Sequence, residues 1–108
     1  MESWVKAMVT CAKCSSELDP KTTCAASISG SIMGDEYTDC FFLCPDCQVY
    51  TVVNYHDPFL GEEKASSRGP VSKAEGDAKV ELIKRCAEPW DKKCRCDAHR
   101  EYFGGWLD

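Results

Sequence analysis

DCFFLCPDCQVYTVVNY, residues 39–55, places a Cys-x-x-Cys motif between an apolar approach and a run of β-branched and aromatic residues. Such residues favour extended strands, whereas the intervening Pro and Asp favour a turn. The stretch therefore predicts two strands joined by a tight turn over residues 44–47. WVKAMVTCAKCSSELDP, residues 4–20, repeats this order, with a strand predicted over residues 4–9 and a turn over residues 11–14.

The two Cys-x-x-Cys turns predict a metal site. Zinc prefers a tetrahedral set of Cys or His ligands, and this spacing lets both sulfurs of a turn reach one ion. The candidate ligands are Cys11, Cys14, Cys44 and Cys47. One alternative is a pair of buried cysteines in each turn, and another is thioredoxin-like redox chemistry. The redox alternative is disfavoured because neither motif lies between a strand and a convincing helix.

CAKC and CPDC resemble the paired knuckles of zinc ribbons and rubredoxin-like proteins, over about residues 4–55. This resemblance implies a small antiparallel sheet whose two knuckles clasp one metal through Cys11, Cys14, Cys44 and Cys47. Cys-Pro-x-Cys is also similar to the second iron knuckle of rubredoxins. The resemblance thus implies either a structural zinc ion or an iron centre for electron transfer.

A second group of ligand residues lies near the end of the chain, where CRCDAH holds Cys94, Cys96 and His99. Cys86, on the apolar face of the predicted preceding helix, could supply a fourth ligand across the turn at Pro89. The group predicts a Cys₃His site and a second zinc ion. The alternatives are a core thiol at Cys86, a surface histidine, and free or reversibly oxidised thiols, the last of which would suit a redox or metal sensor.

The number of cysteines, nine, helps to indicate the cellular compartment in which the protein folds. An odd number excludes complete internal pairing, and the N-terminal residues hold no long apolar run typical of a signal peptide. Reduced thiols in a cytoplasmic protein are the simplest interpretation. Cys24 and Cys40 remain outside both predicted sites, as buried thiols or as a pair. No apolar stretch approaches the length needed to span a membrane.

The sequence predicts one α+β domain over residues 1–108: an antiparallel zinc-ribbon-like β module over 4–55, a loop over 56–71, and a helical segment over 72–108. Between the two knuckles we expect two strands joined by a turn near residues 33–36. Ser72 and Glu75 form a capping box, S-x-x-E, that begins an amphipathic helix, and Pro89 stops it. A short helix is expected over residues 97–103, ended by Gly104.

The net charge and the motifs of the sequence limit the classes of function that we expect. The net charge is −5, which opposes general nucleic-acid binding, although residues 79–108 carry seven Lys or Arg against six Asp or Glu. No Ser-His-Asp arrangement, phosphate-binding Gly loop or persuasive carboxylate pair supports catalysis. We therefore expect a non-enzymatic structural zinc domain, with another protein as partner and no membrane. Nucleic-acid binding through the basic C-terminal face is a minor alternative.

Overall fold

Two neighbouring strands, over residues 35–43 and 50–57, form the centre of the protein and bury side chains on both faces of the sheet. The computed structural model describes residues 9–58 and 60–104. In chain order the elements are β1 (Val9–Thr10), β2 (Glu17–Leu18), α1 (Pro20–Thr23), β3 (Cys24–Ile32), β4 (Asp35–Leu43), β5 (Tyr50–Asp57), β6 (Lys64–Val71), α2 (Lys73–Lys84) and α3 (Asp97–Phe103). β3, β4, β5 and β6 form an antiparallel sheet in that order, and β1 pairs with β2. This architecture confirms the α+β class.

Side chains alternate between two cores along β4. Phe41 lies opposite Val52 in the β4–β5 ladder and faces α2, where it packs with Val80. The flanking Cys40 and Phe42 point to the opposite face, toward the β1–β2 ribbon. Because successive strand residues face opposite ways, the apolar run in β4 fills both cores at once.

The β3–β4 hairpin confirms the pair of strands expected between the knuckles. Its two-residue turn is Met33-Gly34, with φ of +51° and +86°. Two consecutive positive φ values match the right-handed twist of the flanking strands.

β6 corrects the prediction of a loop over residues 56–71. His56 and Asp57 complete β5, and Lys64–Val71 form an edge strand paired with it. Almost every β6 residue is exposed, so the strand shows none of the apolar alternation by which strands are recognised. Pro70 and a glycine also indicate a turn, yet an edge strand tolerates proline because its outer N–H groups need no partner.

α2 packs on the sheet through a glycine. Ser72 caps the helix as predicted, its hydroxyl accepting from the N–H of Glu75 at 3.2 Å. The ring of Tyr50 lies directly over Gly76, where an added Cβ would come within 1.9 Å of Tyr50 Cδ2. The Tyr50 hydroxyl donates to Asp77 Oδ1 at 2.6 Å. The glycine that weakens the isolated helix is therefore what allows it to approach β5.

The C-terminal part follows the prediction with one correction. α3 spans Asp97–Phe103, and Gly104 ends it in the left-handed conformation. α2 ends at Lys84, so Cys86 lies just after the helix instead of on it. Its N–H donates to Ile83 O at 3.0 Å, a tightened last turn of the kind common at helix ends.

Two further expectations concern the chain ends and membranes. Residues 4–8 of the predicted first strand lie outside the described residues, and β1 begins at Val9. Within the described part of the chain, no helix has the length and apolarity needed to cross a bilayer.

We predict that Gly76→Ala destabilises the protein. Helix propensity alone would favour alanine by roughly 1 kcal/mol. Overpacking against Tyr50 costs about 1–3 kcal/mol and should exceed that gain. Urea unfolding of the metal-saturated protein measures the net change. The exposed position Glu81 in the same helix provides the control, since Glu81→Ala should change stability by less than about 0.5 kcal/mol.

Candidate metal centres

The two Cys-x-x-Cys turns have the same backbone structure. In the first, Cys11 N donates to Ser16 O at 2.9 Å and Ser15 N donates to Cys11 O at 3.0 Å. In the second, Cys44 N donates to Val49 O at 3.0 Å and Gln48 N donates to Cys44 O at 2.9 Å. The matching hydrogen bonds make the turns two copies of one knuckle.

Each knuckle closes with a non-glycine residue in the left-handed region. Ser15 has φ of +65° and Gln48 has φ of +57°. A side chain in this conformation is strained by roughly 1–2 kcal/mol. Both residues are exposed, and Gln48 gains a hydrogen bond there, from its Nε2 to Pro45 O at 2.9 Å.

The first candidate centre contains the four predicted knuckle cysteines. One sulfur atom from each of Cys11, Cys14, Cys44 and Cys47 lies within 4.8 Å of the others. Cys14 Sγ and Cys44 Sγ are 3.8 Å apart. With zinc–sulfur bonds near 2.3 Å, tetrahedral geometry separates two sulfurs by about 3.8 Å. The spacing of this pair therefore fits one ion.

Hydrogen bonds polarise the sulfurs of the first centre. Cys11 Sγ accepts from the N–H groups of Lys13 at 3.4 Å and Cys14 at 3.5 Å. The Ser16 hydroxyl, 2.9 Å from Cys14 Sγ, is the main cause that lowers the pKa of Cys14 to about 6. The backbone N–H of Cys47 likewise lowers the pKa of Cys44. These donors stabilise thiolates, the form in which cysteine binds a metal.

The fourth cysteine of this centre behaves differently. Hydrogen bonding to Cys14 is the main cause that raises the pKa of Cys47 to about 12. Crowded sulfurs disfavour further loss of protons in the absence of a cation. A bound metal would remove this obstacle, since its charge stabilises a coordinating thiolate.

The second candidate centre brings together all four residues predicted for it. Cys86, Cys94, Cys96 and His99 each place one ligand atom within 4.8 Å of the others. Cys86 Sγ lies 3.7 Å from Cys94 Sγ and 3.1 Å from His99 Nδ1, and Cys96 Sγ lies 3.6 Å from Nδ1. Cys86 and Cys94 come from the loop after α2, Cys96 is the N-cap of α3, and His99 lies in the first turn of α3.

His99 presents one ring nitrogen to the sulfurs and the other to the sheet. The side chain is fully buried, with Nδ1 toward Cys86 and Cys96 and Nε2 2.9 Å from Ser29 O. A carbonyl oxygen only accepts, so Nε2 carries a proton, and in the neutral imidazole Nδ1 then has a lone pair that faces the sulfurs. This is the arrangement that fixes the tautomer of metal-binding histidines.

The pKa values of two thiols in the second centre are also shifted in opposite directions. Cys96 caps α3, and the His99 N–H to its sulfur is the main cause that lowers the pKa of Cys96 to about 6. Burial raises the pKa of Cys86 to about 12. Arg95 Nη1 donates to Lys92 O at 3.2 Å and Cys94 O at 3.0 Å, which holds the loop around the site.

Cys24 and Cys40 lie outside both centres. Both are free thiols on the neighbouring strands β3 and β4. Cys40 is fully buried, and burial is the main cause that raises its pKa to about 12, whereas Cys24 is exposed.

Two groups that form hydrogen bonds with ligands of the centres, Ser16 and Ser29 O, differ in whether the sequence indicates them. Ser16, two positions after Cys14, lies in the knuckle itself and is signalled by that proximity. Ser29 O precedes its partner His99 by 70 positions, and no local pattern indicates this contact.

No family model, curated protein or solved structure matches the chain.

We predict that Ser15→Gly stabilises the metal-saturated protein by about 0.5–1 kcal/mol. Glycine relieves the left-handed strain, and its greater freedom in the unfolded chain offsets part of that gain. Urea unfolding measures the change. Lys13→Gly in the same turn is the control, because this exposed residue has a negative φ and its replacement should lower stability. Equal effects at both positions would contradict the assignment of strain to Ser15.

Proposed function

We propose that this chain is a zinc-stabilised domain with two structural ions, one in each candidate centre. The observation that carries the proposal is the convergence of two separate sets of four donor atoms, each within 4.8 Å. One set holds four sulfurs and the other three sulfurs and an imidazole nitrogen. Both combinations are typical of structural zinc, and imidazole with thiolate suits zinc well.

The ligand sets support a structural role over a catalytic one. A catalytic zinc keeps one position open for water or substrate, usually with three protein ligands. Each centre here offers four protein donors, which complete a tetrahedron. When bound, zinc would supply cross-linking between elements and neutralise the crowded thiolates. We therefore propose a non-enzymatic protein, in which the ions maintain a surface.

The positions of the centres explain why metal would be needed. The first ties the β1–β2 ribbon to the β4–β5 turn, and the second ties the end of α2 to α3. Structural zinc binds with roughly 10 kcal/mol or more at neutral pH, comparable to the net stability of a small domain. Loss of both ions should thus remove most of the protein's stability.

We propose another protein as the partner. The net charge of −5 opposes general nucleic-acid binding. Trp90 is 69 % exposed in the loop of the second centre and borders a surface depression with Tyr37 and Thr38. Exposed aromatic side chains are frequent anchors of protein interfaces. The second centre would hold this loop in a fixed shape. The free thiols favour a reducing compartment for the protein.

A second candidate function is electron transfer through iron at the first centre. Cys14 supports this candidate because its side chain is exposed, so a bound iron would have one ligand at the surface. Iron bound by four thiolates is coloured and redox active, whereas zinc is neither. Protein purified anaerobically from iron-replete cells should be colourless if the zinc proposal holds. One iron per chain with a reversible potential would establish electron transfer instead.

We predict two zinc ions per chain and one ion in each of two single variants. Cys14→Ser should lose the ion of the first centre, and Cys94→Ser that of the second, because each removes one of four donors. Native mass spectrometry with elemental analysis measures the number and identity of the ions. Each variant should also unfold at a lower urea concentration than the parent protein.

Cys24→Ser provides the matched control for this experiment. Cys24 is a free, exposed cysteine that belongs to neither cluster, so its replacement should leave two ions bound. A parent protein that folds fully and binds no metal after purification with zinc would overturn the proposed function. Loss of both ions in either single variant would contradict the independence of the two centres.

A further inference from the structure

The outer edge of β3 is covered by the segment that carries the second centre. β3 is an edge strand, paired only with β4 within the described sheet. Ser29 N donates to Pro89 O at 2.8 Å, and Ser29 O accepts from His99 Nε2 at 2.9 Å. Both main-chain groups of Ser29 are thus occupied, the N–H by Pro89 in the loop after α2 and the C=O by His99 in α3.

These contacts lie where another strand would bind. Ser29 is opposite Thr38 in the ladder, yet its N–H and C=O bond to Pro89 and His99. The pair is therefore of the non-hydrogen-bonded kind, in which both groups point away from the neighbouring strand. Pointing outward, they are the groups that a fifth strand would use for pairing.

The two edges of the sheet differ in their own protection. β6 carries Lys64, Arg68 and Pro70, the charges and proline by which edge strands resist pairing. β3, CAASISGSI, contains no charged residue and no proline in nine positions. Uncharged strands without proline are prone to pair with other strands. β3 lacks this protection in its own sequence, and the cover at Ser29 supplies protection at that position.

We propose that metal in the second centre keeps the β3 edge covered, and that its loss opens β3 to antiparallel pairing with β3 of a second copy of this chain. The proposal rests on the proposed function, because it assumes that the second centre binds metal. His99 provides the direct link, since Nδ1 faces the sulfurs while Nε2–H donates to Ser29 O.

The position of Pro89 also depends on the second centre. It lies in the loop between two of the ligands, Cys86 and Cys94. Without a metal, the ligand atoms no longer have a common partner, and the loop ends are free to separate. Ser29 then loses both of its outer partners together.

A second copy is the occupant that the sequence of β3 favours. Antiparallel pairing of two identical strands brings their residues together in opposite order, and β3 holds no charge that could repel its copy. The same loss of metal opens β3 in every molecule, so both partners become available at once. Pairing would extend the four-stranded sheet into a continuous eight-stranded sheet across the dimer.

The test compares Cys94→Ser with Cys14→Ser, two variants that each lose one metal ligand from a different centre. Amide hydrogen exchange by NMR reports on Ser29, and sedimentation velocity reports on association. In Cys94→Ser we expect dimers, in which strand pairing would protect the Ser29 N–H again. In the monomeric double variant Cys94→Ser/Ser31→Lys we expect Ser29 to exchange at least tenfold faster than in the parent. In Cys14→Ser we expect a monomer in which Ser29 keeps its protection. Adding Ser31→Lys to Cys94→Ser should abolish the dimer by placing a charge on β3.

Several outcomes would overturn the inference. Unchanged protection of Ser29 in the monomeric double variant Cys94→Ser/Ser31→Lys would show that metal does not maintain the cover. Dimers of equal strength in Cys14→Ser would remove the specific role of the second centre. Fast exchange at Ser29 without dimers, or dimers that survive Ser31→Lys, would exclude pairing through β3. A parent without bound metal would instead overturn the proposed function.

Exchange at Val52 in the central strand shows whether Cys94→Ser retains its core. If the core is lost, chelator added to Cys14→Ser provides the second measurement, because the remaining ion is the one in the second centre. Dimers should appear as that ion is removed. When Ser31→Lys is added to keep the chain monomeric, Ser29 should lose protection while Val52 keeps it. Protection of Ser29 that persists in this monomer after complete removal of the ion would overturn the proposal.

Discussion

The register between β4 and β5 determines the positions of nearly every other element. Phe41 opposite Val52 and Leu43 opposite Tyr50 place apolar side chains on the face that α2 covers. A shift of one residue would exchange the two faces and move both cores to the wrong side. The same register leads into the second knuckle, so it also positions the sulfurs that meet those of the first knuckle.

The ligands of the first centre lie far apart in the sequence, whereas those of the second lie close together. In the first, the knuckles begin at Cys11 and Cys44, and the sheet brings them together. In the second, the ligands lie within residues 86–99, and hydrogen bonds from Ser29 to Pro89 and His99 attach this segment to the sheet. The first centre therefore holds tertiary structure together, whereas the second organises a local segment and attaches it to an edge.

Local patterns predicted much of this arrangement. The apolar runs around residues 39–55 indicated β4 and β5, the capping box at Ser72 indicated α2, and ligand spacing indicated both groups of donors. β6 was missed because its exposed polar residues show no periodicity, and its strand pairing comes from β5. The need for Gly76 was also hidden, because it depends on the ring of Tyr50, a residue distant in sequence.

Because the ribosome makes the chain from its N-terminus, β3 is synthesised before the residues that cover its edge. β3 is complete at Ile32, and β4, which follows after a two-residue turn, can pair with its inner side early. His99 is made roughly 70 residues after Ile32, a delay of about 4–14 s at 5–20 residues per second. During that interval the nascent chain lacks His99, the partner of Ser29 O, and an uncharged strand edge emerges from the ribosome without its later cover.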